Sequence, residues 1–108
     1  MWNPPDWPEE HPAVIVSHPD RAQRKDWVEV LACSSKQATR KAESHEVILD
    51  EADGLDWPTL CKCDLLYAVP RKVLKVRKGR VSQARQGPIV RTIIAAHGWS
   101  EVLRTSIL

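Results

Sequence analysis

Apolar positions in this chain come in short bursts separated by polar stretches, and a helical period emerges only near the end. Pro12-Ala-Val-Ile-Val-Ser17 is a continuous apolar run rich in β-branched residues, closed by His18-Pro19-Asp20. It predicts a buried strand followed by a turn. After the polar stretch Arg21 to Asp26, a second strand is predicted over Trp27-Val-Glu-Val-Leu-Ala-Cys33, with Trp27 packed in the core. Ser34 to Ser44 is polar and basic and reads as a long mobile loop, and His45 to Asp50 as a third strand. Asp53-Gly54 and Trp57-Pro58 mark the next loop, after which Thr59 to Val69 gives a longer strand stopped by Pro70. Arg71 to Val76 reads as one helical turn and Lys78 to Val81 as a short closing strand.

Ile89, Val90, Ile93, Ile94 and His97 recur with helical spacing, and Gly98 marks a C-terminal stop. Ser82 can N-cap that helix, but Pro88 interrupts it. Either Ser82 to Gln86 forms a separate turn, or the helix starts near Pro88, where proline is tolerated. The expected fold is mainly β with a C-terminal helix, a small barrel capped by that helix. Residues 1–10, rich in Trp and Pro, read as an irregular arm, since proline cannot donate to a ladder; residues 11–108 read as one domain.

The formal net charge is only +2, so bulk charge does not announce a polyanion-binding protein. Its distribution says more. Arg71, Lys72, Lys75, Arg77, Lys78, Arg80 and Arg85 follow one another with no acid between them, while acids crowd near the N-terminus and from Glu43 to Asp56. Such segregation focuses a polyanion on one side of a nearly neutral molecule, although a solvated basic face has the same composition. Cys33, Cys61 and Cys63 are an odd count; Cys61-x-Cys63 lacks the second pair of a zinc site and reads as two buried thiols sharing one strand face. Met1 leads into a Trp/Pro segment unlike a signal peptide, no apolar run is long enough to span a bilayer, and a reducing cytoplasm is expected.

Read in order, four segments resemble the PemK/MazF toxin family. His11-Pro-Ala-Val-Ile-Val-Ser17 is similar to the family's Arg-Pro-apolar-Val-Val-Ser strand, and Val30-Leu-Ala-Cys-Ser-Ser35 to the strand ending in a Thr/Ser-Ser pair. Glu46-Val-Ile-Leu-Asp50 with Asp53-Gly54-Leu55 is the third, and Lys62-Cys-Asp64 stands where the family carries Arg-Cys-Asp or Lys-Cys-Asp. A Gly-Arg-Val-Ser unit (Gly79 to Ser82) and the apolar helix complete the order, covering about residues 10–98. The chain departs from the family in two places. The usual opening Gly-Asp-(Val/Ile)-aromatic strand is missing or replaced by the arm, with Trp2 and Trp7 available to patch that edge, and the arginine before the proline is His11.

The resemblance implies an SH3-like barrel and a metal-independent endoribonuclease without cofactor, the 2′-hydroxyl attacking its own phosphate to leave a cyclic phosphate. Such a reaction needs a base, an acid for the leaving 5′-oxygen, and cations around the phosphorane. Family position makes Asp64 the base, and regular alternation puts Lys62 on its side of the strand, about 7 Å away. An ammonium is a poor acid at neutral pH, so Lys62 is assigned to electrostatic stabilisation. His11 is either the acid, as an imidazole suits proton donation, or merely the start of a strand. Ser34 and Ser35 either hold the phosphate or terminate a strand. Lys36, Arg40, Lys41, Arg77 and Arg80 are the candidate grips on the RNA backbone, and Trp57 the candidate platform for a base. His18, His45 and His97 read as structural.

The resemblance further implies a homodimer, single-stranded mRNA as substrate, and a cognate antitoxin whose acidic segment matches the basic stretch. Two other readings stand beside the toxin: a catalytically degenerate relative that binds RNA or protein, and a gyrase poison like the CcdB family. The tail from Gly98 to Leu108 does not match that family's Trp-Gly-Ile ending, which ranks the gyrase poison last.

Overall fold

The computed structural model describes residues 2–5, 9–35 and 41–99. Its elements are β1 (Ala13–Ile15), α1 (Pro19–Arg24), β2 (Trp27–Ser34), β3 (Glu46–Leu49), β4 (Thr59–Pro70) and α2 (Gln83–His97). The strands form one antiparallel sheet in the order β1-β2-β4-β3, curled into a half-barrel, with α2 laid on β3 and β4. Apolar residues on β2 and β4 supply both faces, as expected for strands at the centre of a small sheet.

One face carries Leu31, Cys33, Cys61, Cys63 and Leu49, which pack with Ile89 and Ile93 of α2. The other face carries Val28, Val30, Ala32 and Val69, covered by Trp2. Trp2 and His11 exchange both backbone hydrogen bonds, at 2.9 and 2.6 Å, so the start of the described chain folds back on the segment just before β1. The Trp2 ring meets Tyr67 edge-on at 5.1 Å. Trp7 lies outside the described residues.

The structure corrects four expectations. Residues 19–24 are a helix, begun by Pro19 and by His18 Nδ1, which accepts the Asp20 amide; this element is too short for its period to show in sequence. Trp27 is 52% exposed, because Val28 and Val30 take the inward positions of β2. α2 runs unbroken through Pro88. Proline there removes only the bond to the Ala84 carbonyl, on an exposed residue, while burying Ile89 and Ile93 stabilises the helix by roughly 2 kcal/mol each. Residues 78–81 make no strand.

That segment crosses the Asp53–Gly54 turn instead, backbone on backbone. A Cβ on Gly79 would stand 2.4 Å from the Asp53 carbonyl oxygen, and Gly54 has φ +90°, so both positions require glycine. The Asp53 carboxylate accepts the Ser82 amide at 2.7 Å and the Asp50 amide at 2.9 Å. Arg85 completes the clasp, donating to the Ile48 carbonyl and, at 2.9 Å, to Asp50. The expected stop at Gly98 is present, in the left-handed conformation that caps α2.

Candidate nucleic-acid site

Three strands carry candidate residues to one end of the sheet, on the face opposite α2. β1 and β2 pair Ala13 with Ala32, and the Cys33 amide donates to the Pro12 carbonyl. One further step along the same register sets His11 across from Ser34. Both residues are buried, at 7% and 6% exposure. Ser34 in turn pairs with Leu60 of β4, and Lys62, two residues on, pairs with Glu46 of β3. Paired residues of an antiparallel ladder share a face, so His11, Ser34, Lys62 and Glu46 share this one. Ser35 follows at the end of β2, half-buried.

Asp64 does not follow the alternation that the sequence suggests. Cys63 packs in the α2-side core, yet Leu65, two residues later, packs in the opposite cluster. The ladder explains the slip: while β2 moves from Leu31 to Cys33, β4 moves from Leu66 to Cys61. The surplus residues bulge, and Asp64, exposed, sits where the two-residue period breaks. A bulge re-aims a side chain independently of its neighbours, so the orientation of Asp64 is set by the irregular ladder.

Lys62 is held by a residue the sequence reading missed. Its Nζ lies 2.7 Å from Glu46 Oε2, with the two side chains 13% and 0% exposed. Glu46 Oε1 accepts the Glu43 amide at 3.0 Å, and His45 Nε2 stands 4.0 Å from Oε2. The signal was the acid at Glu46 in an otherwise apolar strand facing a lysine two residues before Asp64, legible only once the β3–β4 register is known. Glu43, His45 and Glu46 bring ligand atoms within 4.8 Å of one another. The Lys62 ammonium already supplies the positive charge that a cation would bring there.

The basic stretch divides by role. Arg71 donates to the Ala22 carbonyl and Arg85 belongs to the Asp53 clasp. Arg77 and Arg80 are exposed along a groove between β1 and α2 whose lining includes none of His11, Ser34, Lys62 and Asp64. Ile15, Val76, Val90, Ile94 and Trp99 are exposed along the same groove. Trp57 is 58% exposed in the loop before β4, and Lys41 is exposed at the start of the segment leading to β3. Lys36 and Arg40 lie outside the described residues.

Cys33, Cys61 and Cys63 are free and buried. The Cys33 sulfur beside Cys61 and the Cys61 sulfur beside Cys63, together with burial, push the Cys61 and Cys63 thiols far up. They are core residues rather than nucleophiles. His97 stacks on Trp99 at 5.3 Å, at the end of α2.

The fold has close counterparts. Toxin MazF-mt6 of Mycobacterium tuberculosis superposes with a TM-score of 0.72 over 82% of this chain and 86% of its own, at 20% identity. An endoribonuclease from a mycobacterial species gives 0.68 over 82% and 80%, at 22% identity. A mycobacterial endoribonuclease in complex with its cognate antitoxin gives 0.67 over 82% and 81%, also at 22% identity. No curated protein sequence matches. The sequence profile of the PemK-like, MazF-like toxins of type II toxin–antitoxin systems matches residues 2–96, taking in Trp2, every strand and nearly all of α2, and the chain belongs to that family.

Proposed function

We propose that this protein is the toxin of a type II toxin–antitoxin pair and cleaves single-stranded mRNA without a metal, working in the cytoplasm. Asp64 takes the proton of the 2′-hydroxyl as that oxygen attacks the adjacent phosphorus. Lys62 stabilises the phosphorane charge, Ser34 and Ser35 hold the phosphate oxygens, and His11 protonates the departing 5′-oxygen. The products are a 2′,3′-cyclic phosphate and a free 5′-hydroxyl. Trp57 stacks a base, and Lys36, Arg40 and Lys41 grip the backbone.

The observation that carries this reading is the shared register of His11, Ser34 and Lys62 on one sheet face in a member of this toxin family. A homodimer fits the apolar groove of Ile15, Val76, Val90 and Ile94, which is unusual exposure for so small a chain. Arg77 and Arg80 at the groove suit the acidic segment of a cognate antitoxin.

The test is incubation of the purified protein with an unstructured RNA in EDTA. Cuts ending in cyclic phosphate, abolished in Asp64→Asn and weakened in His11→Ala, are expected. RNA bound but left intact by the wild type points instead to a non-cutting binding module, the second reading that the exchange of arginine for His11 raises.

A further inference from the structure

Glu46 opens the third segment of the family resemblance without a role assigned to it there, and it meets the group assigned to the phosphorane. Its carboxylate, fully enclosed, receives the Lys62 ammonium at 2.7 Å. Its other oxygen is fixed by the Glu43 amide at 3.0 Å. The two residues are direct partners in the β3–β4 ladder, so their Cα positions are set by the sheet. A lysine is a point charge on a four-carbon stem and, untethered, samples many rotamers. Tethered at a buried carboxylate, its ammonium is held in one place. Stability alone is a weak reason for such a pair, since an apolar pair of similar volume commonly serves a small core as well.

We propose that Glu46 is a positioning residue for RNA cleavage: it anchors the Lys62 ammonium on the Ser34 side of the sheet so that a scissile phosphate meets a preorganised cation. This rests on the nuclease reading above and adds to it the part that makes Lys62 effective. Among the described residues, the charged side chains beside Glu46 are Lys62 from β4 and His45 and Glu43 from its own strand entry. Only Lys62 is within hydrogen-bond distance of the carboxylate among these three side chains.

The experiment measures kcat and KM for RNA cleavage in EDTA by wild type, Glu46→Gln, Lys62→Met and the double variant Glu46→Leu/Lys62→Met, with unfolding midpoints recorded for each. Glu46→Gln is expected to lower kcat by about 100-fold while KM stays nearly constant, because a misplaced group costs catalysis more than binding. The double variant is expected to be no slower than Lys62→Met, since Glu46 acts through Lys62. Wild-type kcat in a folded Glu46→Gln overturns the inference and leaves the nuclease reading intact. Should Glu46→Gln fail to fold, the double variant, whose apolar pair fills the same space, carries the comparison. A double variant that cleaves at the wild-type rate, or one much slower than Lys62→Met, overturns it as well. Wild type that leaves RNA whole overturns both readings together.

Discussion

Removing the Asp53 carboxylate tests whether the clasp on the Gly54–Gly79 crossing holds this fold. Asp53 is 5% exposed and accepts two amides, Ser82 at 2.7 Å and Asp50 at 2.9 Å, with Arg85 Nη1 at 3.8 Å. Hydrogen bonds to a charged group contribute about 1.5–3 kcal/mol each, so Asp53→Ala, which removes two, should cost roughly 3–6 kcal/mol. Asp53→Asn keeps the shape and one acceptor oxygen but turns an NH2 toward the other amide, and should cost about half as much. A domain this small has only about 5–15 kcal/mol in total, so Asp53→Ala approaches the limit of folding. Burial by itself raises the Asp53 pKa, but the Ser82 and Asp50 amides and Arg85 outweigh it and hold the group below its ordinary 3.8. A carboxylate depressed in the folded state stabilises above its unfolded pKa and loses that contribution as pH falls through the folded value. Urea unfolding of wild type and Asp53→Asn between pH 7 and pH 3 reads both effects. The stability gap should be full at neutral pH and narrow only below pH 3.8. A gap under about 0.5 kcal/mol for Asp53→Ala, typical of an unremarkable surface change, refutes the reasoning. So does an acid limb of the same steepness in Asp53→Asn.

Three further outcomes follow from other parts of the structure. Gly79→Ala forces a Cβ to 2.4 Å from the Asp53 carbonyl oxygen and should lower stability by about 1–3 kcal/mol, read as a shift in thermal midpoint; an unchanged midpoint rejects the close crossing. Trp2→Ala strips the cover from Val28, Val30 and Ala32 and should cost about 3–5 kcal/mol in denaturant unfolding, whereas a loss below about 1 kcal/mol would mean the ring is not part of the core. The raised thiols of Cys61 and Cys63 should resist a thiol-specific disulfide reagent at pH 8 in the native protein and react fully once guanidinium unfolds it; rapid native labelling contradicts their burial.

The strands were legible because β-branched runs bounded by Pro and Gly leave little else for Pro12 to Ser17 or Thr59 to Val69 to be. Gly98 was legible for a local reason, the left-handed residue that ends a helix. What escaped depends on partners distant in sequence. The unbroken α2 is decided by Ile89 and Ile93 burying against the sheet, which outweighs the local objection raised by Pro88. The irregular ladder at Asp64 exists only because β2 and β4 run out of step, and neither strand alone records that. Nothing local to Glu46 or Arg85 announces Lys62 or Asp50 as a partner; the register and the turn crossing supply them. The candidate site was therefore legible as a set of residue types in family order, while the device that holds it was not.

Strand order also decides where the molecule loosens first. β4 is laced to β2 on one side and β3 on the other, whereas the four-residue β3 has one ladder partner among the described residues. Partial openings are least costly at such margins. In deuterated buffer the Val47 to Leu49 amides should thus exchange well before those of Val28 to Leu31. The carboxylate beneath Lys62 rides on that quick-exchanging margin, so gentle warming would scatter it while the central strands β2 and β4 still hold their protons.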